Sequence, residues 1–209
     1  MENYKKNLEL LTKNHVYSKE MEHDACGVGL IASTEGKKSR AIVEYGIEAL
    51  KAVWHRGAVD ADGKTGDGAG IHVEIPKDFF IEKIQVTGHD YDNSEICVGM
   101  IFLPRNDYSA QESCKTIVES ELTKNNFSIY GWRQVPVNSK VLGEKALQTM
   151  PEIIQVLFKP NDPNLLDKNL ERKIYEIRKR IENKAFDASL NNFYICSISS
   201  KSIIYKGLY

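Results

Sequence analysis

The chain has 209 residues, 42% apolar and 27% charged, with 28 Lys and Arg against 29 Asp and Glu for a formal net charge of −1. These figures belong to an ordinary globular chain and exclude disordered, collagen-like and fibrous classes. The near-neutral balance removes the long-range field of a general nucleic-acid binder, and no apolar run approaches the ~20 residues that cross a bilayer, so neither nucleic acid nor membrane is an expected partner.

Residues 1–25, MENYKKNLELLTKNHVYSKEMEHDA, are polar, mix acids with lysines and lack the apolar stretch of a secretory signal. They read either as a poorly ordered tail or as a leader whose removal exposes the next residue. A strand is expected over Val28–Ala32. Val43, Ile47, Leu50 and Trp54 then fall at i, i+4, i+7 and i+11, the stripe of an amphipathic helix. Strands come next at Gly70–Ile75 and Ile96–Leu103. Ser109 and Glu112 form a capping-box pattern ahead of Cys114, Ile117, Val118 and Leu122, which predicts a helix starting at Ser109. A strand is expected over Phe127–Trp132, short helices or loops near Gly143–Thr149, and a strand over Ile153–Phe158. Leu166, Leu170, Ile174, Ile177 and Ile181 mark a long helix, and strands over Phe193–Ile198 and Ser202–Tyr205 read as a hairpin turning at Ser199–Lys201. The pattern is mixed α+β, with neither a repeat nor a dividing linker. A chain of this length buries roughly 70% of its extended surface, enough for one sizeable core. It closes on Lys206-Gly207-Leu208-Tyr209 directly after a strand, which reads as a C-terminally truncated domain.

Cys26, Cys97, Cys114 and Cys196 are scattered, with no C-x-x-C pair and no His at ligand spacing, so no metal site is expected. The usage fits a reducing, cytoplasmic compartment. Cys26 stands at the mouth of the first strand in His23-Asp24-Ala25-Cys26-Gly27-Val28-Gly29. One reading makes it a small buried residue. The other cuts the chain before it: a free α-amine of pKa ~7.7–8.0 can then take the proton of a thiol of pKa ~8.5, so one residue supplies nucleophile and base.

His55-Arg56-Gly57-Ala58 comes after the first helix, and five glycines interleave with three aspartates between positions 57 and 70. A dinucleotide fingerprint succeeds a strand and opens a helix, whereas this loop succeeds a helix and opens a strand. It reads as a structural turn or as a loop that places Arg56 or backbone N–H groups beside a nucleophile. The helix Glu171–Lys184 carries Arg172, Lys173, Arg178, Lys179, Arg180 and Lys184 interrupted by Glu171, Glu176 and Glu182. That is the pattern of a solvated face or a contact with another domain, not of a polyanion site.

Taken together, C-G-V-G-L-I-A from Cys26, H-R-G-A from His55, A-D-G-K-T-G-D-G-A-G-I from Ala61, V-G-M-I-F-L from Val98, I-Y-G-W-R-Q-V-P from Ile129, V-L-G-E from Val141 and F-Y-I-C-S-I-S with I-Y-K-G-L near the end resemble one family in its order. The chain is similar to the N-terminal, class II (N-terminal-nucleophile) glutamine amidotransferase domain of the glutamate synthase large subunit. The resemblance implies a four-layer αββα sandwich with two stacked antiparallel sheets, a leader over 1–25 and the amidotransferase domain from 26 to 209. It implies Cys26 as the catalytic nucleophile attacking the glutamine side-chain amide, and Arg56 as a substrate-site residue ordering the nucleophile loop. It also implies later motifs, an R-F-S-T stretch and an Asn-Gly oxyanion pair, and no Asn-Gly occurs in these 209 residues. The fragment alone is therefore expected to be an inactive glutaminase. No cofactor is expected in this fragment. For the parent enzyme the resemblance implies FMN, an iron–sulfur cluster and NADPH or ferredoxin, with glutamine, the downstream synthase domains and a small reductase subunit as partners. The alternatives are an inert or binding-only module and an amidohydrolase of another amide.

Overall fold

The computed structural model describes residues 27–53 and 58–208, together with positions 6, 7, 9, 10, 12 and 13. In chain order its elements are α1 (Arg40–Ala52), β1 (Gly68–Glu74), α2 (Lys77–Val86), β2 (Cys97–Leu103), α3 (Tyr108–Lys124), β3 (Phe127–Gln134), a 3-10 turn (Ser139–Val141), α4 (Glu144–Thr149), β4 (Glu152–Pro160), α5 (Asp167–Asp187), β5 (Tyr194–Ser199) and β6 (Ser202–Leu208).

Four strands form one antiparallel sheet in the order β3-β4-β2-β5. β2 is buried along almost its whole length, because the pleat sends alternate side chains to opposite faces and both faces are covered. Cys97, Ile101 and Leu103 join Ile154, Val156 and Phe158 of β4 beneath Val118, Leu122, Ile174 and Ile177 of α3 and α5. On the other face Val98, Met100 and Leu157 meet Phe80 and Ile84 of α2 and Ile203 of β6. The second sheet is the antiparallel pair β1-β6, with Gly68 opposite Leu208 and Glu74 opposite Ser202. α1 lies outside it, with Gly46 over Ile71. Two stacked antiparallel sheets between helical layers are the αββα sandwich expected from the resemblance.

Four local expectations are corrected. Residues 27–33 form no strand; Val28 and Leu30 are 92% and 89% exposed, since no described strand offers that segment a ladder. Asp107, not Ser109, caps α3: its carboxylate accepts the Ala110 N–H at 2.9 Å. The helix α2 is additional to the expected elements, and its short apolar run Phe79-Phe80-Ile81 conceals the i, i+4 pair Phe80 and Ile84. The last two strands are no hairpin, because β6 leaves the larger sheet to pair with β1.

Glu171 on α5 causes that corner. Its carboxylate accepts from Ser200 N and Ser200 Oγ, both at 2.7 Å, and from Ser199 Oγ at 2.9 Å. Ser199 Oγ in turn accepts the Lys201 and Ser202 N–H groups. Beyond the turn, Ile204 N donates to Ser197 Oγ instead of to a β5 carbonyl. Glu171 is thus half-buried and structural, not part of a solvated face. Elsewhere α5 cations are paired: Arg178 and Lys179 with Glu182, Arg172 with Glu176 and Lys184 with Glu121.

Candidate active site

Cys26 and Arg56, the two residues expected to carry the chemistry, lie outside the described residues, as do His55 and Gly57. Their described neighbours meet. A Cβ built on Gly27 would lie 3.3 Å from the Val53 side chain, so the residue after Cys26 rests against the end of α1, just before the H-R-G segment.

On the far side of that segment the glycine-rich run folds into a small closed loop between α1 and β1, the order that sets it apart from a nucleotide loop. Val59 and Gly66 form an antiparallel bridge, and Asp60 N donates to Thr65 O at 2.8 Å. Ala58 is held from both sides, its N–H donating to Asp67 Oδ2 at 2.8 Å and its carbonyl accepting from Asp67 N at 3.2 Å. At the tip, Asp62 takes the Lys64 and Thr65 N–H groups and the Thr65 hydroxyl. That hydroxyl, with the two amides after it, holds the Asp62 carboxyl far below the ordinary carboxylate range.

The loop is docked on a second motif, V-L-G-E. Gly143 precedes α4, and a Cβ there would fall into Thr65 and within 2.5 Å of Asp62 Oδ2, so only glycine permits this approach. Ala146 N donates to Thr65 Oγ1 at 3.4 Å, and Lys145 Nζ pairs with Asp60 at 2.6 Å. The Lys145 ammonium and the Ala61 N–H lower the Asp60 pKa, and Asp60 raises that of Lys145. In the sequence the two motifs stand far apart, and a glycine ahead of a short helix carries no signal that it will touch an acidic loop.

The arginine of G-W-R-Q-V-P is also structural. Arg133 Nη1 donates to the fully buried Gln155 at 2.8 Å, Gln155 Nε2 reaches Tyr205 Oη at 3.3 Å, and the guanidinium lies 5.1 Å from the Phe79 ring. This polar line ties β3 and β4 to β6 across the two sheets. Beside it runs a cavity of about 540 Å³ between α1, the small sheet and residues 135–151, walled mainly by apolar side chains such as Ile47, Leu50, Met100 and Phe102.

The remaining cysteines do not suit a metal cluster. Cys97, Cys114 and Cys196 are free and buried, and burial raises each thiol pKa, that of Cys114 to about 11, which disfavours the thiolate a metal needs. Among the described residues no group of three His, Cys, Asp or Glu could hold a metal ion, and no helix is long and apolar enough to cross a membrane.

Comparison with known proteins completes the picture. The chain is 52% identical over 206 residues to the glutamate synthase [NADPH] large chain of Azospirillum brasilense, covering 99% of this chain and 14% of that one. It is 39% identical over 190 residues to the chloroplastic ferredoxin-dependent glutamate synthase of Spinacia oleracea and 38% identical over 188 residues to ferredoxin-dependent glutamate synthase 2 of Synechocystis. Each of those two alignments covers 90% of this chain and 12% of the relative. The chain therefore spans about an eighth to a seventh of the length of these relatives. The family model of class II glutamine amidotransferases matches residues 26–209, so the chain belongs to that family.

Proposed function

We propose that this chain is the nucleophile-bearing part of a glutaminase that supplies ammonia to a glutamate synthase. The observation that carries the reading is the family match that opens at Cys26, joined to the seating of Gly27 against Val53 next to the H-R-G segment. The same match favours glutamine over another amide, and an enzyme over an inert or binding-only module. Removal of residues 1–25 would leave Cys26 with a free α-amine. That amine takes the thiol proton, and the thiolate adds to the carboxamide carbon of glutamine. The tetrahedral adduct collapses with transfer of the proton to nitrogen, releasing ammonia and leaving a γ-glutamyl thioester. Water then attacks the thioester carbon, giving glutamate and restoring the thiol. Arg56, as the resemblance implies, would be a substrate-site residue that helps order the nucleophile loop. An Asn-Gly oxyanion pair and a carboxylate-binding arginine would come from synthase sequence outside these 209 residues.

The relatives are named for NADPH and ferredoxin. For this chain we infer a cytoplasmic parent enzyme in which downstream domains, with FMN and an iron–sulfur cluster, consume the ammonia in reductive amination of 2-oxoglutarate. A small reductase subunit would serve an NADPH-dependent form. The buried thiols of Cys97, Cys114 and Cys196 do not fit the cluster. The test is a glutamine-like affinity label applied to the natural polypeptide, with ammonia release measured for wild type and Cys26→Ser. Labelling at an N-terminal Cys26, and loss of both label and ammonia in the variant, is the expected result. Full activity in protein that still begins at Met1 refutes the mechanism.

A further inference from the structure

We infer that the apolar cavity beside the small sheet seats a β-strand from the synthase sequence that follows this region; the inference rests on the reading of this chain as part of a glutamate synthase. Three walls of the cavity lack cover. The first is α1, whose Ile47 and Leu50 line the cavity although the helix buries no residue fully. A helix in a folded domain draws its stability from burying such a stripe, so this one wants a partner. The second wall is the inner face of the larger sheet. Strands lie ~4.8 Å apart, so a two-stranded sheet spans roughly half the width of a four-stranded one. Val98 and Leu157 are covered by α2 and β6, whereas Phe102 and Ile153 line the cavity and are only half-buried. The third wall is β1. β6 turns its outer edge to β5, with Ile204 N donating to Ser197 Oγ at 3.1 Å and Ile204 O accepting from Cys196 Sγ at 3.4 Å. His72, opposite Ile204, therefore points its own N–H and C=O away from β6, as do Gly70 and Glu74 two residues to either side. That edge of β1 meets no further strand among the described residues. A small apolar ligand would fill the cavity but leave the edge open, whereas an added strand answers both. Lys206 and Gly207, near the end of β6, line the same cavity, so chain continuing from β6 emerges beside it. The aligned region is only 14% and 12% of the Azospirillum and Spinacia relatives, and in the proposed function the leader is removed, which leaves downstream sequence as the occupant.

The test places the photo-cross-linking residue p-benzoylphenylalanine at Val141 or at Leu50 of the natural polypeptide and identifies the linked peptides by mass spectrometry. Val141 lines the cavity and is 65% exposed, so it carries the test should the Leu50 variant fail to fold. The expected cross-links run to sequence beyond residue 209 of the same polypeptide. Hydrogen exchange gives a second reading, with the Gly70, His72 and Glu74 amides expected to exchange at least about 100-fold slower than in unpaired chain. Cross-links to residues 1–25 or to a second copy, or none beyond this region, overturn the inference. Exchange of those three amides at unpaired rates overturns it too. Ammonia release from glutamine is followed separately: wild-type protein that releases none overturns the glutaminase reading, while cross-links and exchange still decide the docking.

Discussion

Glu171 is the residue on which the change of sheet between β5 and β6 depends, and its removal can be worked through in advance. Its carboxylate gathers Ser200 N, Ser200 Oγ and Ser199 Oγ at 2.7–2.9 Å, and Ser199 and Ser200 are only 8% and 6% exposed. A hydrogen bond to a charged partner contributes ~1.5–3 kcal/mol, but the three share one acceptor group and the hydroxyls can turn toward entering water, so their losses do not add. Glu171→Ala strands the Ser200 N–H, which cannot turn, and is expected to cost about 3 kcal/mol. Glu171→Gln keeps one oxygen for Ser200 but presents an NH2 to Ser199 Oγ, whose acceptor sites serve Lys201 and Ser202; about 1 kcal/mol is expected. At ~2–4 °C per kcal/mol for this size, the alanine variant should melt roughly 6–12 °C lower. Urea unfolding with an unchanged slope checks the free energy. Hydrogen exchange checks the location, because β6 and its partner β1 should lose protection together while β2 and β4 keep theirs. An alanine variant within ~0.5 kcal/mol of wild type, or a glutamine variant as costly as the alanine, would refute this account of the corner.

Gly143→Ala should cost about 1–3 kcal/mol, because the new methyl must displace Thr65 and Asp62, and exchange should accelerate at residues 60–66 before any other strand or loop. Asp62 has its pKa lowered from 3.8, so the stability it contributes is present above 3.8 and is lost only as pH falls through the lower folded value. Amide protection at Lys64 and Thr65 should therefore persist as pH falls through 3.8 and disappear only well below it; loss at or above 3.8 contradicts the caging. The raised pKa values of Cys97, Cys114 and Cys196 leave those thiols protonated and shielded. A disulfide reagent at about pH 8 should leave Cys97, Cys114 and Cys196 unmodified in the native protein and modify all three after unfolding. For Cys114 the contribution to stability is complete below the ordinary value of 9.0 and declines as pH rises toward about 11.

Much of the fold is legible in local pattern. Val98–Leu103 and Ile153–Phe158 are apolar runs, the second broken only by Gln155, because both faces of their sheet are covered, and the Leu170-Ile174-Ile177-Ile181 stripe marks the one face α5 buries. The glycine-aspartate run also stands out by composition, and it folds as the turn between a helix and a strand that its order in the chain implies. α2 escaped because three adjacent apolar residues hide a helical period, and the α3 cap was misplaced by two residues because Asp107 and Ser109 are both good capping types.

What the sequence alone settled is therefore most of the strands and helices and which face of each is apolar, features that depend on neighbours a few positions away; the helix α2 and the open segment 27–33 were not among them. Tertiary structure decided that β6 joins β1 instead of β5, that Glu171 makes that corner, and that Thr65 meets Ala146 across 81 residues of chain. The physical reason is that periodicity says which side of an element seeks cover but not which partner supplies it. A carboxylate, a glycine or a hydroxyl acquires its role only from the distant groups that folding brings within a few ångströms.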